Sequence, residues 1–153
     1  MSAFLGIDLG TTNSAVSYIN VSGRPEIILN KAGDNMTPSC LLFEGNEVKH
    51  AGKEARIQLG LNDQVIARWK REMGSQEEFI IDGHGHTPTT LSAELLKKIF
   101  EDAVNKIGEI EDVVITVPAN FPHDARDETK KAAKLANINL TRIIDEPTAA
   151  ALY

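Results

Sequence analysis

The run Val113-Val114-Ile115-Thr116-Val117 constrains this chain more than any other stretch, because its residues are apolar on both alternating faces. A strand of that kind has no side left for water, so it must be covered above and below. Pro118 ends it, having no amide to continue a ladder. Ahead of it, residues 89–107 place Leu91, Leu95, Ile99 or Phe100, Val104 and Ile107 at helical spacing, with Pro88 before the start and Gly108 after the end. Behind it, residues 124–136 read as a second helix, acidic in its first turn and lysine-rich later, with Asn137 as a left-handed cap. Residues 140–144 form another strand, and Pro147 opens a further helix over 148–153.

The amino-terminal stretch, residues 4–18, reads as strand, tight turn, strand. Gly10-Thr11-Thr12-Asn13 consists of residues that tolerate unusual backbone angles or bond to their own chain. Such a turn can aim consecutive amides at one point and so make an anion-binding concavity, with Gly10 keeping the approach clear and the threonine hydroxyls adding donors. Asp8 cannot hold a phosphate when ionised, but a single carboxylate suits Mg²⁺ with its water shell. A plain hairpin with a polar turn fits the same residues. A third strand is expected at 26–29, a loop at 30–38, strands at 40–43 and 47–51, and short helices at 53–61 and 64–73. The second of these helices puts Val65, Ile66, Trp69 and Met73 on one stripe. A strand and turn over 79–86 close the insertion.

This order predicts an α/β fold: a mixed five-stranded sheet with flanking helices, plus a small inserted α+β subdomain. Residues 1–36 and 89–153 form the core, and 37–88 the insertion. Right-handed crossovers return the later strands parallel to the first, so Asp8, Pro118 and Glu146 share the rim at the strand ends, where ligands bind in such sheets.

A net charge of −6 argues against a nucleic-acid partner or a membrane surface. Cys40 is the single cysteine, which excludes an internal disulfide and fits a reducing, cytoplasmic setting; its apolar neighbours make it a small core residue. His84-Gly85-His86 offers two metal-type ligands without a third nearby, and reads as a glycine-rich turn. No Gly-x-x-x-x-Gly-Lys-Ser/Thr loop occurs.

Five motifs together resemble the seventy-kilodalton heat-shock (DnaK-type) chaperones. They are Gly6-Ile7-Asp8-Leu9-Gly10-Thr11-Thr12-Asn13-Ser14, Thr37-Pro38-Ser39, Lys70-Arg71-x-Met73-Gly74, Val114-Ile115-Thr116-Val117-Pro118-Ala119-Asn120-Phe121 and Ile144-Asp145-Glu146-Pro147-Thr148-Ala149-Ala150-Ala151. The first alone marks only the wider actin, sugar-kinase and chaperone superfamily. The resemblance implies the first lobe of an ATPase domain with a ribonuclease H-like, actin-like fold that uses ATP or ADP with Mg²⁺. By position, Gly10, Thr11, Thr12 and Asn13 match the phosphate loop, and Asp8 the acid that holds the Mg²⁺ water shell. Lys70 matches the lysine at the terminal phosphate and attacking water, and Glu146 the carboxylate that orders metal or water. Pro118 and Arg126 match a pair that relays nucleotide state to a substrate-binding domain. Residue chemistry alone also allows Lys70 to be a solvated member of Arg68-Trp69-Lys70-Arg71, and Glu146 an acid at a helix start.

The resemblance further implies unfolded polypeptide clients, a J-domain cochaperone and a nucleotide exchange factor as partners. It also makes this chain a fragment that lacks the second lobe and the substrate-binding domain. On its own such a fragment is expected to bind ATP weakly, hydrolyse it negligibly and risk self-association. Two rival readings are an actin-like filament-forming ATPase and a sugar or metabolite kinase lobe. Thr12, Thr37-Pro38-Ser39 and Val117-Pro118-Ala119-Asn120-Phe121 favour the chaperone over the filament.

Overall fold

A computed structural model describes residues 3–75, 77–118 and 120–145. Its strands and helices run in the order β1 (Ala3–Leu9), β2 (Asn13–Ile19), β3 (Pro25–Ile27), β4 (Met36–Pro38), β5 (Cys40–Glu44), β6 (Glu47–Ala51), α1 (Lys53–Ile57) and β7 (Val65–Ala67). A 3-10 helix (Trp69–Glu72) follows, then β8 (Phe79–Ile81), β9 (His84–His86), α2 (Pro88–Ile107), β10 (Ile110–Val117), α3 (His123–Leu135) and β11 (Leu140–Asp145).

The main sheet has the order β11-β10-β1-β2-β3, with the short β4 also pairing with β2. Strands β1, β10 and β11 are parallel, whereas β2, β3 and β4 join antiparallel. The helical crossovers α2 and α3 thus return the chain in the expected direction. Leu5, Ile7 and Leu9 of β1 are at most 2% exposed and face the helices. They share one core with Leu91, Leu95, Leu96 and Ile99 of α2, Val113 and Ile115 of β10, and Ala125, Ala132 and Ala133 of α3. Each fully buried leucine contributes about 1.5–3 kcal/mol, so this layer anchors the strand ends that carry the site. Helix α2 begins at a reciprocal cap, in which Thr87 Oγ1 accepts from the Thr90 amide and Thr90 Oγ1 accepts from the Thr87 amide. Asn137 does adopt a left-handed backbone, with φ 61°, just past α3.

Three local expectations give way. Residues 36–38, expected in a loop, form β4 because β2 still has a free edge there; Asn30 turns the chain back by accepting from the amides of Ala32 and Asp34. The expected helix over 53–61 stops at Ile57, and the chain continues in turns toward Gly60, whose φ is +84°. The expected helix over 64–73 does not form. Val65-Ile66-Ala67 pairs with the edge of β5, Arg68 takes a left-handed conformation, and only Trp69–Glu72 coils, as a 3-10 turn. Short β-branched runs satisfy strand and helix patterns alike, and here a waiting strand edge decides. Residues 79–86, expected as a strand and turn, close into the β8–β9 hairpin. A smaller antiparallel sheet, β6-β5-β7, carries α1 on a cluster of Cys40, Leu42 and Ala55. No helix among the described residues is long and apolar enough to cross a membrane.

Candidate functional site

Strands β1 and β2 pair to Leu9↔Ser14, which leaves Gly10–Thr12 as the loop between them and Asn13 as the first residue of β2, opposite Pro38 of β4. A Cβ on Gly10 would lie 2.0 Å from the Asn13 carbonyl oxygen, so the loop closes this tightly only with glycine. Ser39, at the junction of β4 and β5, ties the loop from behind. Its amide donates to the Thr12 carbonyl at 2.9 Å and its hydroxyl donates to the Gly10 carbonyl at 2.8 Å. Ser14 Oγ lies 3.0 Å from Ser39 Oγ. Since a hydroxyl has one proton and that of Ser39 goes to Gly10, Ser14 donates to Ser39. With trans peptides, carbonyls 10 and 12 turned toward Ser39 send the amides of Thr11 and Asn13 the opposite way. Asn13 Oδ1 accepts from Arg56 Nη1 at 3.2 Å, which brings a cation to the flank of the loop.

Asp8 sits one residue before the end of β1, paired in register with Thr116 of β10. Thr116 Oγ1 donates to Asp8 Oδ1 at 3.1 Å. Both line a trough of about 590 Å³ on the sheet face turned away from α2 and α3, together with Gly6, Ala15, Ser17 and Arg142. Among the described residues no three His, Cys, Asp or Glu side chains converge, so a cation at Asp8 would complete its shell with water and ligand oxygens.

Lys70 reaches this end of the sheet from the 3-10 helix. Trp69, 2% exposed, turns into the core and donates its indole N–H to Ser92 Oγ at 3.0 Å. A 3-10 helix turns about 120° per residue, so the next side chain points elsewhere. Lys70 is 7% exposed; its amine donates to the Leu9 carbonyl and stands 5.7 Å from the centroid of the Phe121 ring. Gly74 closes the segment with φ +89°, and a Cβ there would be 2.9 Å from the Ala125 amide, so this glycine lets the turn abut α3.

Two residues beyond the Asp8–Thr116 pair, Gly10 follows the end of β1 and Pro118 follows the end of β10. The half-buried Pro118 accepts at its carbonyl from the Phe121 amide at 3.0 Å. Arg126 lies in α3, where its guanidinium meets Asp145 and the Phe121 carbonyl. Asp8, the loop 10–13, Lys70 and Pro118 therefore gather at one end of β1 and β10, whereas Arg126 stands behind Phe121. Glu146 and the helix expected after Pro147 lie outside the described residues.

Sequence reading alone missed Thr116, Ser39, Arg56 and Asp145 as partners of these groups. Thr116 carried a signal, as the one polar residue in the apolar run 113–117. The others did not, since their partners are distant in the chain. His86 packs its ring on Phe43 at 4.5 Å, and its buried Nε2 has no partner among the described residues. Burial holds that imidazole below its ordinary value, His84 adds to the effect, and Glu94 opposes it. Burial likewise pushes the Cys40 thiol up, against the nearby Arg56 charge and a backbone hydrogen bond.

A family model described as "Hsp70 protein" matches residues 4–153. The chaperone protein DnaK of Deinococcus proteolyticus is 39% identical over 176 aligned residues, covering 99% of this chain. The chain spans 28% of the length of that relative.

Proposed function

The chain belongs to the Hsp70 family, and on that premise we propose that it supplies the phosphate-gripping part of a site that hydrolyses ATP. In the longer protein this turnover would drive binding and release of unfolded polypeptides, assisted by a J-domain cochaperone and a nucleotide exchange factor. Residues 1–36 and 89–153 serve as the core of the lobe and 37–88 as its insertion. A cytoplasmic location suits the one buried thiol, Cys40.

A single observation carries this reading: the buried Lys70 amine donates to the carbonyl of Leu9, the residue between the exposed Asp8 and the loop that begins at Gly10. Phosphoryl transfer to water asks the protein chiefly for charge neutralisation and a placed nucleophile. The amides of Thr11 and Asn13 and the threonine hydroxyls offer donors to phosphate oxygens, and Gly10 leaves the approach open. Asp8, oriented by Thr116, would hold the water shell of a Mg²⁺ ion, which would supply neutralisation of phosphate charge. Lys70, screened from solvent and fixed at the Leu9 carbonyl, places a positive charge toward the terminal phosphate and the attacking water. By its match to the family motif, Glu146 would order that water or the metal. Pro118 and Arg126 pass the nucleotide state onward.

Lys70→Ala in the longer protein that supplies the second lobe tests the reading. Single-turnover hydrolysis of Mg-ATP is expected to fall by about 10²–10³-fold while nucleotide affinity changes little. Turnover that survives the substitution would remove Lys70 from the chemistry and with it this reading.

A further inference from the structure

Arg126 bridges the end of β11 and the turn that follows β10, just beyond the point where those strands pair at Val117↔Asp145. From the first turn of α3, its Nη2 donates to Asp145 Oδ1 at 2.5 Å, at the last residue of β11. Its Nε donates to the Phe121 carbonyl at 3.3 Å, in the turn that follows β10. The Phe121 ring faces the Lys70 amine at 5.7 Å, and that amine in turn meets the Leu9 carbonyl at the mouth of the phosphate loop. One guanidinium thus ties the end of β11 to the backbone of Phe121, the residue whose ring stands beside the buried lysine. A planar guanidinium holds two acceptors in set directions, and a carboxylate is the stronger of the two. The side chains of Arg126 and Asp145 are 27% and 37% exposed, so neither is fully screened by water.

We propose that Asp145 is a positioning residue for Lys70: its carboxylate holds Arg126, Arg126 holds the turn of Phe121, and the Phe121 ring holds the lysine amine against the end of β1. The place of this relay in catalysis rests on the ATPase reading above, but the positional coupling does not. Asp145 also immediately precedes Glu146 in the chain, so the same ion pair anchors the last residue of β11.

The test is amine acylation of the full chain followed by residue-resolved mass spectrometry, in the wild type, Asp145→Asn, Arg126→Gln and the double variant. Asparagine keeps the shape of Asp145 and removes its charge. Exposed Lys130 serves as an internal reference, and the melting temperature reports global folding. Labelling of Lys70 relative to Lys130 is expected to rise by about threefold to tenfold in each single variant, and no further in the double variant, as groups in one relay are not additive. Unchanged Lys70 labelling in both single variants overturns the proposal, as does a double variant showing the full sum of the two effects. Single-turnover hydrolysis measured on the same samples separates the two ideas. If Lys70 becomes reactive in Asp145→Asn while neither that variant nor Lys70→Ala alters hydrolysis, the positional coupling stands and the ATPase assignment fails. A drop in rate at unchanged nucleotide affinity supports both.

Discussion

Thr116 Oγ1 donates to Asp8 Oδ1 at 3.1 Å across two adjacent parallel strands that are far apart in the chain. The hydroxyl satisfies one carboxylate oxygen of an exposed acid that lines the trough above the sheet. A strand position that could have carried another valine instead sets the orientation of the proposed Mg²⁺-facing acid.

Thr116→Val keeps the branched shape and deletes that donor. A hydrogen bond to a charged group is worth about 1.5–3 kcal/mol at most, and Asp8 is exposed, so a threefold to tenfold rise in the Mg²⁺ concentration for half-maximal ATP turnover is expected. An unchanged Mg²⁺ dependence would show that Asp8 needs no help from Thr116.

Gly10→Ala places a methyl group 2.0 Å from the Asn13 carbonyl oxygen, a distance no real contact tolerates. The loop must open, so nucleotide affinity by calorimetry is expected to fall at least about tenfold, with a stability loss of about 1–3 kcal/mol. Wild-type affinity in this variant would mean that the loop does not grip phosphate with its backbone.

Ser39→Ala strips the Gly10 carbonyl and the Ser14 hydroxyl of a partner in a pocket where both serines are nearly fully buried. Urea unfolding is expected to show a loss of about 1–3 kcal/mol. A loss below about 0.5 kcal/mol would place the variant among ordinary surface substitutions and argue against the tie.

His86 ties stability to pH. Burial depresses its pKa, helped by His84 and opposed by Glu94, so the folded chain resists a proton that the unfolded chain accepts near its ordinary value of 6.5. Stability from this group is therefore complete above that value and declines as pH falls below it. Between pH 7.5 and 5, the wild type should lose more melting temperature than His86→Leu. Parallel melting curves for the two would assign the acid sensitivity elsewhere.

Much of the architecture was legible because its signals are local. The continuous apolar run over 113–117 gave a covered central strand, the spacing of Leu91, Leu95 and Ile99 gave α2, and Asn137 gave a left-handed stop. The same held for the loop at Gly10, whose residue types state its shape. Residues 36–38 and 64–73 were misread because their structure is decided by neighbours: β4 forms where β2 offers an edge, and β7 where β5 does.

By itself, the sequence determined the order of the main elements β1, β2, α2, β10, α3 and β11, the position of the loop at Gly10 and the candidates Asp8 and Lys70. Periodicity, breaker residues and motif spacing are written along the chain. The tertiary structure alone decided which groups hold these residues: Thr116 on Asp8, Ser39 behind Gly10, Phe121 beside Lys70, and Asp145 on Arg126. Pairings of that kind follow from strand register and from how helices pack on a sheet. Those arise only when distant segments bury their apolar faces against one another, and no local pattern carries them.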